Sequence, residues 1–516
     1  MLRPKPPQNS FFGSYLYDNI IPQDHLLRKI NEVVDFSFIK DLVKDRYTEN
    51  FGRPAEDPEF MLRLCLLQYI YGDSDRQMEE NARVNLAYKY FLGLNVDEEP
   101  PDYSTICTFR TQRLGKEKLQ QIFDQIVQQC IDKGLVTGKH QLIDSTHIEA
   151  DAARNSLTGL LRICRRNVLD DVQKQNRKSA IRLGYDESYI TKQDRFTPKE
   201  EGLEKEIEEA KKLLDGVTRE FRKKRLRINP ELQKDLEILE KAVADRQEDS
   251  KDRLVSPVDP DARAGRKDSK RWTGYKGHVV VEEDSEIITA VETTPANKAD
   301  GSQLGVLLKQ QEEAHNLKPR QLSADKAYDS GTNLELLDSK GITGHIGLTR
   351  KTNHINPDFF TIDDFHYDEE KDTLTCPAGC TAAHKRRQVF QGKNTTKRGK
   401  VFIFQHDECN ACELKARCCT GHKGRMVYIS HSHPLFQEMK ERLSTEEGKE
   451  AYRKRYKIER KIADLTRYCG MRRCRYRGLN KAKMHTLLAA IASNVKRMAK
   501  VLWTAPEAVP KPVFGG

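Results

Sequence analysis

Residues 141–147 read Gln-Leu-Ile-Asp-Ser-Thr-His, and this stretch decides the fold of the 516-residue chain. Its apolar half predicts a short buried strand that ends at Asp144. A similar run, 321–324, ends at Asp325. A strand is held by its hydrogen-bond ladder, so a carboxylate at its end has a rigid mount at the edge of the sheet. Adjacent strand ends would therefore bring Asp144 and Asp325 together, although they lie far apart in the sequence.

The sequence between these two aspartates predicts more of the sheet. Two apolar runs, 277–282 and 286–292, flank the polar residues 283–285 and predict a β-hairpin. A further short strand is predicted at 344–348. Three consecutive strands, followed by strands that alternate with helices, are typical of an RNase-H-like domain. We therefore expect a mixed α+β or α/β fold built around such a sheet.

A third acidic residue, Glu459, lies in a helical stretch predicted from about 437 to 502. Apolar residues at i, i+4 and i+7, beginning with Ile458, form a stripe that would be buried next to Glu459. Tyr452, Arg455 and Glu459 share a face of their own. This arrangement fits a carboxylate at the rim of a site above the sheet. The alternative is a surface glutamate that pairs with a neighbouring Arg or Lys.

The N-terminal part of the chain, residues 1–135, is predicted to be a helical domain. Capping signals mark three helix starts. They are Asp57-Pro58, Ser74-Asp-Arg-Gln77 and Asp102. The third helix carries Arg110 and Arg113, which favours DNA binding. Dimerisation or packing against the rest of the chain is the equal alternative.

The domain that carries the predicted sheet is expected to span residues 136–502 and to contain a charged helical insertion at 155–255. A capping box at 197–200 and a helix start at Asn229-Pro230 support helices there. This insertion is either an antiparallel helical hairpin or a solvated spacer. The tail, 503–516, is rich in Pro and Gly and is predicted to be disordered.

A second insertion, 350–440, is rich in cysteine. Its cysteines resemble the two knuckles of a zinc ribbon in their spacing. They are Cys376 with Cys380 and Cys409 with Cys412, and Cys418 is an alternative ligand. A structural Zn²⁺ would stiffen this insertion, whereas the alternative is a metal-free, thiol-rich loop.

The charge of the chain points to a polyanionic partner. There are 89 Lys and Arg residues against 78 Asp and Glu residues, a formal net charge of +11. The segment from Arg453 to Arg477 holds eleven Lys or Arg and two acidic residues. Such a segment attracts phosphate backbones through counterion release. No run approaches the roughly eighteen apolar residues of a membrane span, and the N-terminus lacks the apolar core of a signal peptide, so we expect no membrane and a cytoplasmic location.

Together, these features resemble the bacterial insertion-sequence transposases of the DDE class, over most of the chain. Three blocks are similar to the segments that carry the acidic residues of that family. They are Leu142-Ile-Asp144-Ser-Thr146, Leu322-Ser-Ala-Asp325-Lys-Ala-Tyr328-Asp329-Ser330 and Tyr452-x2-Arg455-x3-Glu459. Three more resemble a sub-family that has a cysteine-bearing insertion. They are Asp259-Pro-Asp-Ala-Arg263, Gly274-Tyr-Lys-Gly-His278 and Thr294-Pro-Ala-Asn297.

The resemblance implies a metal-dependent reaction on DNA. Asp144, Asp325 and Glu459 would be the ligands of Mg²⁺ (or Mn²⁺). The protein would cut each end of its element and transfer the exposed 3′-hydroxyl to target DNA. Arg455 and Tyr452 would position phosphates. Its partners would be double-stranded DNA, both terminal inverted repeats and target, bound by a homodimer at the nucleoid.

Further DNA contacts are less well marked in the sequence. Lys326 and Tyr328, which lie beside the second aspartate, would also contact DNA. The family signature has a Lys seven residues after the glutamate, where this chain has Thr466, and Arg467 would substitute for it. Trp272 would either stack on a base or be buried by packing.

Two other functions stay open. One is a decayed or repurposed relative that binds DNA without cutting it, although the presence of all three carboxylates argues against decay. The other is an RNase-H-like nuclease that cuts without strand transfer.

Overall fold

The computed structural model describes residues 11–48, 54–185, 199–247, 252–267, 269–349, 356–391, 396–421 and 423–503. The chain begins with helices, which are α1 (Phe11–Ile20), α2 (Leu26–Val33), α3 (Ile39–Leu42), α4 (Pro58–Tyr71), α5 (Asp75–Val84), α6 (Leu86–Leu92), α7 (Tyr103–Thr108) and α8 (Gly115–Asp132). The first strand and four more helices follow, as β1 (His140–Glu149), α9 (Leu157–Gln175), α10 (Arg177–Arg182), α11 (Lys199–Lys224) and α12 (Pro230–Gln247).

The remaining elements complete the main sheet, the cysteine-rich region and the C-terminal helices. The main sheet continues with β2 (Arg263–Lys267), β3 (Lys270–Glu282), β4 (Ile288–Pro295), α13 (Leu304–His315), β5 (Gln321–Ala324), α14 (Gly331–Ser339) and β6 (Thr343–Ile346). The cysteine-rich region contains β7 (His366–Asp368), β8 (Thr373–Thr375), β9 (His384–Gln391), β10 (Thr396–Ile403), α15 (His406–Ala411) and β11 (Met426–Ser430). The chain then forms α16 (His433–Ser444), α17 (Glu446–Arg453), α18 (Tyr456–Tyr468) and α19 (Leu479–Leu502).

Strand β1 lies at the centre of the main sheet. It pairs antiparallel with β3 and parallel with β5, and β5 pairs parallel with β6. Strand β3 also pairs antiparallel with β2 and with β4, along different parts of its length. The predicted hairpin and the two predicted short strands are confirmed, and β2 is an additional strand. The result is a mixed α+β structure with a helical N-terminal region.

Strand β1 does not end at Asp144, as the sequence predicts. It continues to Glu149 because β3 pairs with it along residues 141–149. Pairing with β5 stops earlier, at Ile143 and Ala324. Asp144 therefore lies inside β1, at the point where this strand loses its neighbour on one side.

The N-terminal helices share one hydrophobic core with the sheet and α19. Helix α19 packs against α2, α4 and α8 and also against β4. Its buried residues Leu488, Ile491 and Val495 belong to the same core as Phe123 and Ile126 of α8. All three predicted helix caps are confirmed, and Ser74 and Gln77 form the expected capping box. The long apolar helix α19 thus joins the helical region to the sheet.

The helices between β1 and β2 form a packed unit. Helices α9, α11 and α12 pack against one another around a separate core that includes Leu161, Val168, Val217 and Leu239. The predicted cap at Asn229 is confirmed, because its side chain accepts a hydrogen bond from the backbone N–H of Leu232 at 2.8 Å. The predicted capping box at 197–200 lies outside the described residues. Because this segment has its own buried core, it is more than a solvated spacer.

The cysteine-rich region contains two small sheets. Strands β9, β10 and β11 form an antiparallel sheet in the order β11-β10-β9, and β7 pairs with β8. Phe402, Val427 and Ile429 pack with Leu374 of β8 in a small core. Within the described residues, none of the helices is both long enough and apolar enough to cross a membrane.

Candidate active site at the edge of the main sheet

Asp144 and Asp325 occupy neighbouring positions on the sheet. The last pair between β1 and β5 is Ile143 with Ala324, and the strands are parallel, so the two aspartates follow at the same level. The Asp144 carboxylate is buried and accepts a hydrogen bond from the backbone N–H of Ser145 at 2.7 Å. The Asp325 carboxylate caps the next turn by accepting a hydrogen bond from the N–H of Ala327 at 2.9 Å. The expected proximity of the two aspartates is thus present in the backbone.

The protonation of Asp144 reflects this proximity. Burial, and after it the negative charge of Asp325, raise the pKa of Asp144, which reaches about 6. The hydrogen bond from Ser145 and the positive charges of Arg455 and Lys267 oppose the shift. Two carboxylates that destabilise each other's charge in a partly desolvated position are typical of functional sites, and a bound cation would relieve the repulsion.

Arg455 lies between Glu459 and the edge of the sheet that carries the two aspartates. Its guanidinium lies 3.6 Å from an Asp144 carboxylate oxygen and 3.9 Å from a Glu459 oxygen. It also donates a hydrogen bond to the Tyr452 hydroxyl at 3.3 Å. The predicted single helix is divided here, since α17 ends at Arg453 and α18 begins at Tyr456. Arg455 stands at this break, which lets it reach the sheet.

Glu459 is less closely engaged than the two aspartates. It lies in the first turn of α18, and its side chain is 63% exposed. Among the described residues, no group of three or more His, Cys, Asp or Glu side chains is gathered as a metal would require. The guanidinium of Arg455 occupies the space between Asp144 and Glu459. The three acidic residues therefore share one edge of the molecule without converging on one point.

Tyr452 and Tyr328 pack around the two aspartates. A Cβ atom on Gly347 would lie 2.5 Å from the Tyr452 hydroxyl, so a glycine is needed for α17 to approach the sheet this closely. Tyr328 is fully buried, which contradicts the suggestion that it contacts DNA. Burial and the charges of Asp144, Asp300 and Asp325 raise its pKa strongly, and among the described residues its hydroxyl has no hydrogen-bond partner.

Comparison with known families agrees with this geometry. Residues 15–112 match the model of a transposase domain, DUF772, and residues 243–495 match the model of a transposase DDE domain. The chain belongs to the insertion-sequence DDE transposases. The second match contains Asp325, Arg455 and Glu459, whereas β1 with Asp144 precedes it. Members of this family act on DNA and generally use a divalent metal.

The basic segment of this transposase is partly neutralised by ion pairs within the fold, which the sequence did not predict. Lys454 and Lys457 both pair with Glu283, and Arg460 pairs with Glu286. Both glutamates lie in the turn between β3 and β4. The acidic run at 282–286 is the sequence feature that could have indicated these ion pairs. Most of the charge at the start of α18 therefore binds this turn to the helix.

The rest of the basic segment is also partly engaged. Arg473 and Arg477 each lie 3.3 Å from Asp151, and Arg475 donates hydrogen bonds to backbone carbonyl groups of the N-terminal region. Thr466 donates its hydroxyl hydrogen to the carbonyl groups of its own helix, while the neighbouring Arg467 is exposed. Lys326 is exposed as well, on the turn that follows β5. Arg467 and Lys326 are accessible to a DNA backbone.

Two residues that the sequence suggested for DNA contact are buried instead. Arg110 is 1% exposed, pairs with Asp75 at 2.9 Å and lies over the ring of Tyr476 at 4.7 Å. It therefore joins the N-terminal helices to the C-terminal part of the chain. Trp272 is also buried, and its indole N–H donates a hydrogen bond to the carbonyl group of Tyr275 at 3.3 Å, so packing is its role.

The cysteines of the second insertion are gathered in one place. Six of them line a single cavity, which has a largely apolar wall. They are Cys376, Cys380, Cys409, Cys412, Cys418 and Cys419. Burial is the largest cause that raises the pKa of Cys418 to about 11, and the neighbouring Cys419 contributes to the rise. The two predicted knuckles thus face each other, although among the described side chains they do not adopt a metal-holding arrangement.

Proposed function

We propose that this chain is an active DDE transposase, which cuts DNA at the ends of its element and joins the exposed 3′-hydroxyl to target DNA. The observation that carries the proposal is the pair Asp144 and Asp325 at one level of adjacent parallel strands, with Arg455 beside them. The sheet order, with β1 between antiparallel β3 and parallel β5, supports an RNase-H-like catalytic domain. We further propose that the protein acts as a homodimer on terminal inverted repeats and target DNA at the nucleoid.

Asp144 and Asp325 would hold Mg²⁺ (or Mn²⁺), with Glu459 as the third ligand. Carboxylate oxygens are the donors that such hard cations prefer. The repulsion between the two aspartates and the unpartnered hydroxyl of the buried Tyr328 both fit a cation bound at this edge. When bound, divalent metal supplies charge stabilisation to phosphoryl transfer.

Arg455 would hold the DNA phosphate and release the acidic residues. Its contacts with Asp144 and Glu459, at 3.6 and 3.9 Å, are longer than charge-assisted hydrogen bonds. A guanidinium binds a phosphate through two parallel hydrogen bonds, so an incoming phosphate would compete for it. Once Arg455 has turned to the phosphate, Glu459 is free to swing from solvent towards the aspartates. Lys326 and Arg467 would contact other phosphates of the DNA backbone than the one held by Arg455.

Asp144 would be ionised at neutral pH despite its burial, because its pKa is about 6. Its hydrogen bond with the backbone N–H of Ser145 fixes the direction of the carboxylate. Tyr452 would fix Arg455 by accepting its hydrogen bond and by packing against Gly347. These contacts would hold the acidic edge and the phosphate-binding group in a constant geometry.

The test is an assay of the full chain with labelled element-end DNA, a target plasmid and MgCl₂. The wild type should give joined products, and Asp144→Asn should bind DNA but neither cut nor join it. Asp215→Asn, at an exposed carboxylate on α11, is the matched control and should stay active. Cut but unjoined products would favour a nuclease, and binding without cutting by the wild type would favour a decayed relative.

The cysteine-lined cavity would hold a structural Zn²⁺. Six thiols that line one cavity are a donor set that suits this ion, which takes four ligands in structural sites. Metal analysis of the purified chain should find about one zinc per chain, as one tetrahedral site requires. The variant Cys409→Ser/Cys412→Ser should lose it, whereas Cys107→Ser, at an exposed cysteine elsewhere, should keep it. A zinc-free wild type would leave the metal-free alternative.

A further inference from the structure

We propose that the outer face of the sheet β9–β10–β11 binds single-stranded DNA, at a second site apart from the acidic edge. This outer face is defined by Arg386 and Phe390 of β9, Lys397 of β10, and Met426 and Tyr428 of β11. It combines the exposed ring of Phe390 with two cations that have no ion-pair partner among the described residues. Neither transposase chemistry nor the cysteine-lined cavity uses these residues.

The strand register places these side chains on the same side of the sheet. Arg386 and Tyr428 both pair with Val401, and Phe390 pairs with Lys397. Residues of opposite parity point to the other side. There, Phe402 and Val427 pack into the small core with Leu374. Arg386, Phe390 and Met426, on the first side, are exposed.

The aromatic groups form a platform on the open face. Phe390 is 49% exposed, and its ring centroid lies 5.2 Å from that of Tyr428 in an edge-to-face contact. A Cβ atom on Gly399 would come within 2.7 Å of the Tyr428 ring, so the glycine lets this ring lie across β10. Met426, also on this face, is exposed. Large apolar groups left open in this way have a binding role more often than isolated ones do.

The charge of this sheet points to an anionic partner. Residues 381–406 contain seven Lys or Arg and no Asp or Glu. Lys385 and Lys400 both pair with Asp372 at 2.7 Å. Arg386 and Lys397, on the same side as Phe390, are exposed and have no ion-pair partner among the residues that the structure describes. These two cations are therefore available to an anion beside the Phe390 ring.

An unpaired DNA strand matches both features, whereas a duplex matches only one. Bases of a single strand are free to stack on aromatic rings, and its phosphates can meet the neighbouring cations. In a duplex the bases are stacked on each other, so only the cations would contribute. An acidic protein would likewise use the cations without stacking on Phe390. The exposed ring is therefore the feature that selects the single strand.

The experiment measures binding of the full chain to a labelled oligo(dT) strand and to a duplex of equal length, by fluorescence anisotropy over a range of KCl concentrations. Phe390→Ala should weaken oligo(dT) binding about 5- to 100-fold, the range of base stacking on aromatic groups, and leave duplex binding unchanged. Phe390→Tyr should retain binding. Arg386→Ala/Lys397→Ala should reduce the salt slope for the single strand by about 1.4, because each contact contributes about 0.7.

The matched control is Lys212→Ala/Lys309→Ala, which removes the same charge at exposed positions on α11 and α13. It should leave the slope unchanged. The proposal would be overturned if Phe390→Ala weakened binding to the single strand and to the duplex equally. It would also be overturned if the control pair lowered the salt slope as much as Arg386→Ala/Lys397→Ala does. Asp144→Asn should still bind oligo(dT), so a failure of the proposed catalysis leaves this result intact. If Arg386→Ala/Lys397→Ala weakens binding and Phe390→Ala does not, the face binds duplex DNA or an acidic protein, and the single-strand site is rejected.

Discussion

Replacing Asp144 by Asn should stabilise the folded chain, and the gain should grow with pH. An Asp has an ordinary pKa of 3.8, and burial raises that of Asp144 to about 6. Between these values the folded state binds the proton more tightly than the unfolded state does. The raised pKa therefore lowers the free energy of unfolding as pH rises, and the penalty is complete above about pH 6. Asparagine carries no charge and avoids this penalty.

The linkage relation gives the size of the effect. For pKa values of 3.8 and about 6, the penalty is about 1.6 kcal/mol at pH 5 and about 3 kcal/mol at pH 8. Asp144→Asn should thus exceed the wild type in free energy of unfolding by these amounts. The asparagine carbonyl can still accept the hydrogen bond from Ser145, so the local geometry is retained.

The assay is urea unfolding followed by circular dichroism at pH 5, 6, 7 and 8, for both proteins and without divalent metal. Asp215→Asn serves as the control, because its carboxylate is exposed on α11 and has no ion-pair partner among the described residues. Addition of MgCl₂ should narrow the difference by stabilising only the wild type. A variant that is less stable than the wild type, or a difference that does not change with pH, would refute the assignment of a destabilised charge to the buried Asp144.

Three further outcomes follow from contacts in the structure. Arg110→Ala should lower the free energy of unfolding by about 1.5–3 kcal/mol, measured with urea, because it removes the charge-assisted hydrogen bonds to Asp75; a loss typical of surface arginines would contradict that role. Glu283→Gln should release Lys454 and Lys457 and raise the salt slope of duplex binding by up to about 2, and an unchanged slope would mean that they stay inaccessible. Gly347→Ala should slow DNA cleavage on the order of 10- to 100-fold by displacing Tyr452, and an unchanged single-turnover rate would show that Tyr452 does not set the geometry of the site.

Local signals made much of the fold predictable. The helix caps at Asp57 and Ser74 depend on residues within one turn, and the hairpin before β4 depends on two apolar runs around a polar turn. The relative level of Asp144 and Asp325 also followed from the sequence, because both come directly after short apolar runs. These features need no knowledge of distant contacts.

The features that escaped prediction depend on distant partners. Strand β1 passes Asp144 because β3 extends its ladder, and Arg110 is buried because Asp75 and Tyr476 surround it. The basic segment looked free because its neutralising glutamate, Glu283, lies far away in the sequence. The spacing of apolar residues predicts which face of a helix or strand is buried. It does not predict which charged residue from a distant part of the sequence will pair with that element.

The most direct test of the central claim is strand joining by the wild type and by three single variants, Asp144→Asn, Asp325→Asn and Glu459→Gln. With MgCl₂ and element-end DNA, the wild type should give joined products that EDTA abolishes. Each variant should retain DNA binding and give none. Joined products from any of the three variants at the wild-type rate would contradict the claim that these acidic residues form the catalytic centre.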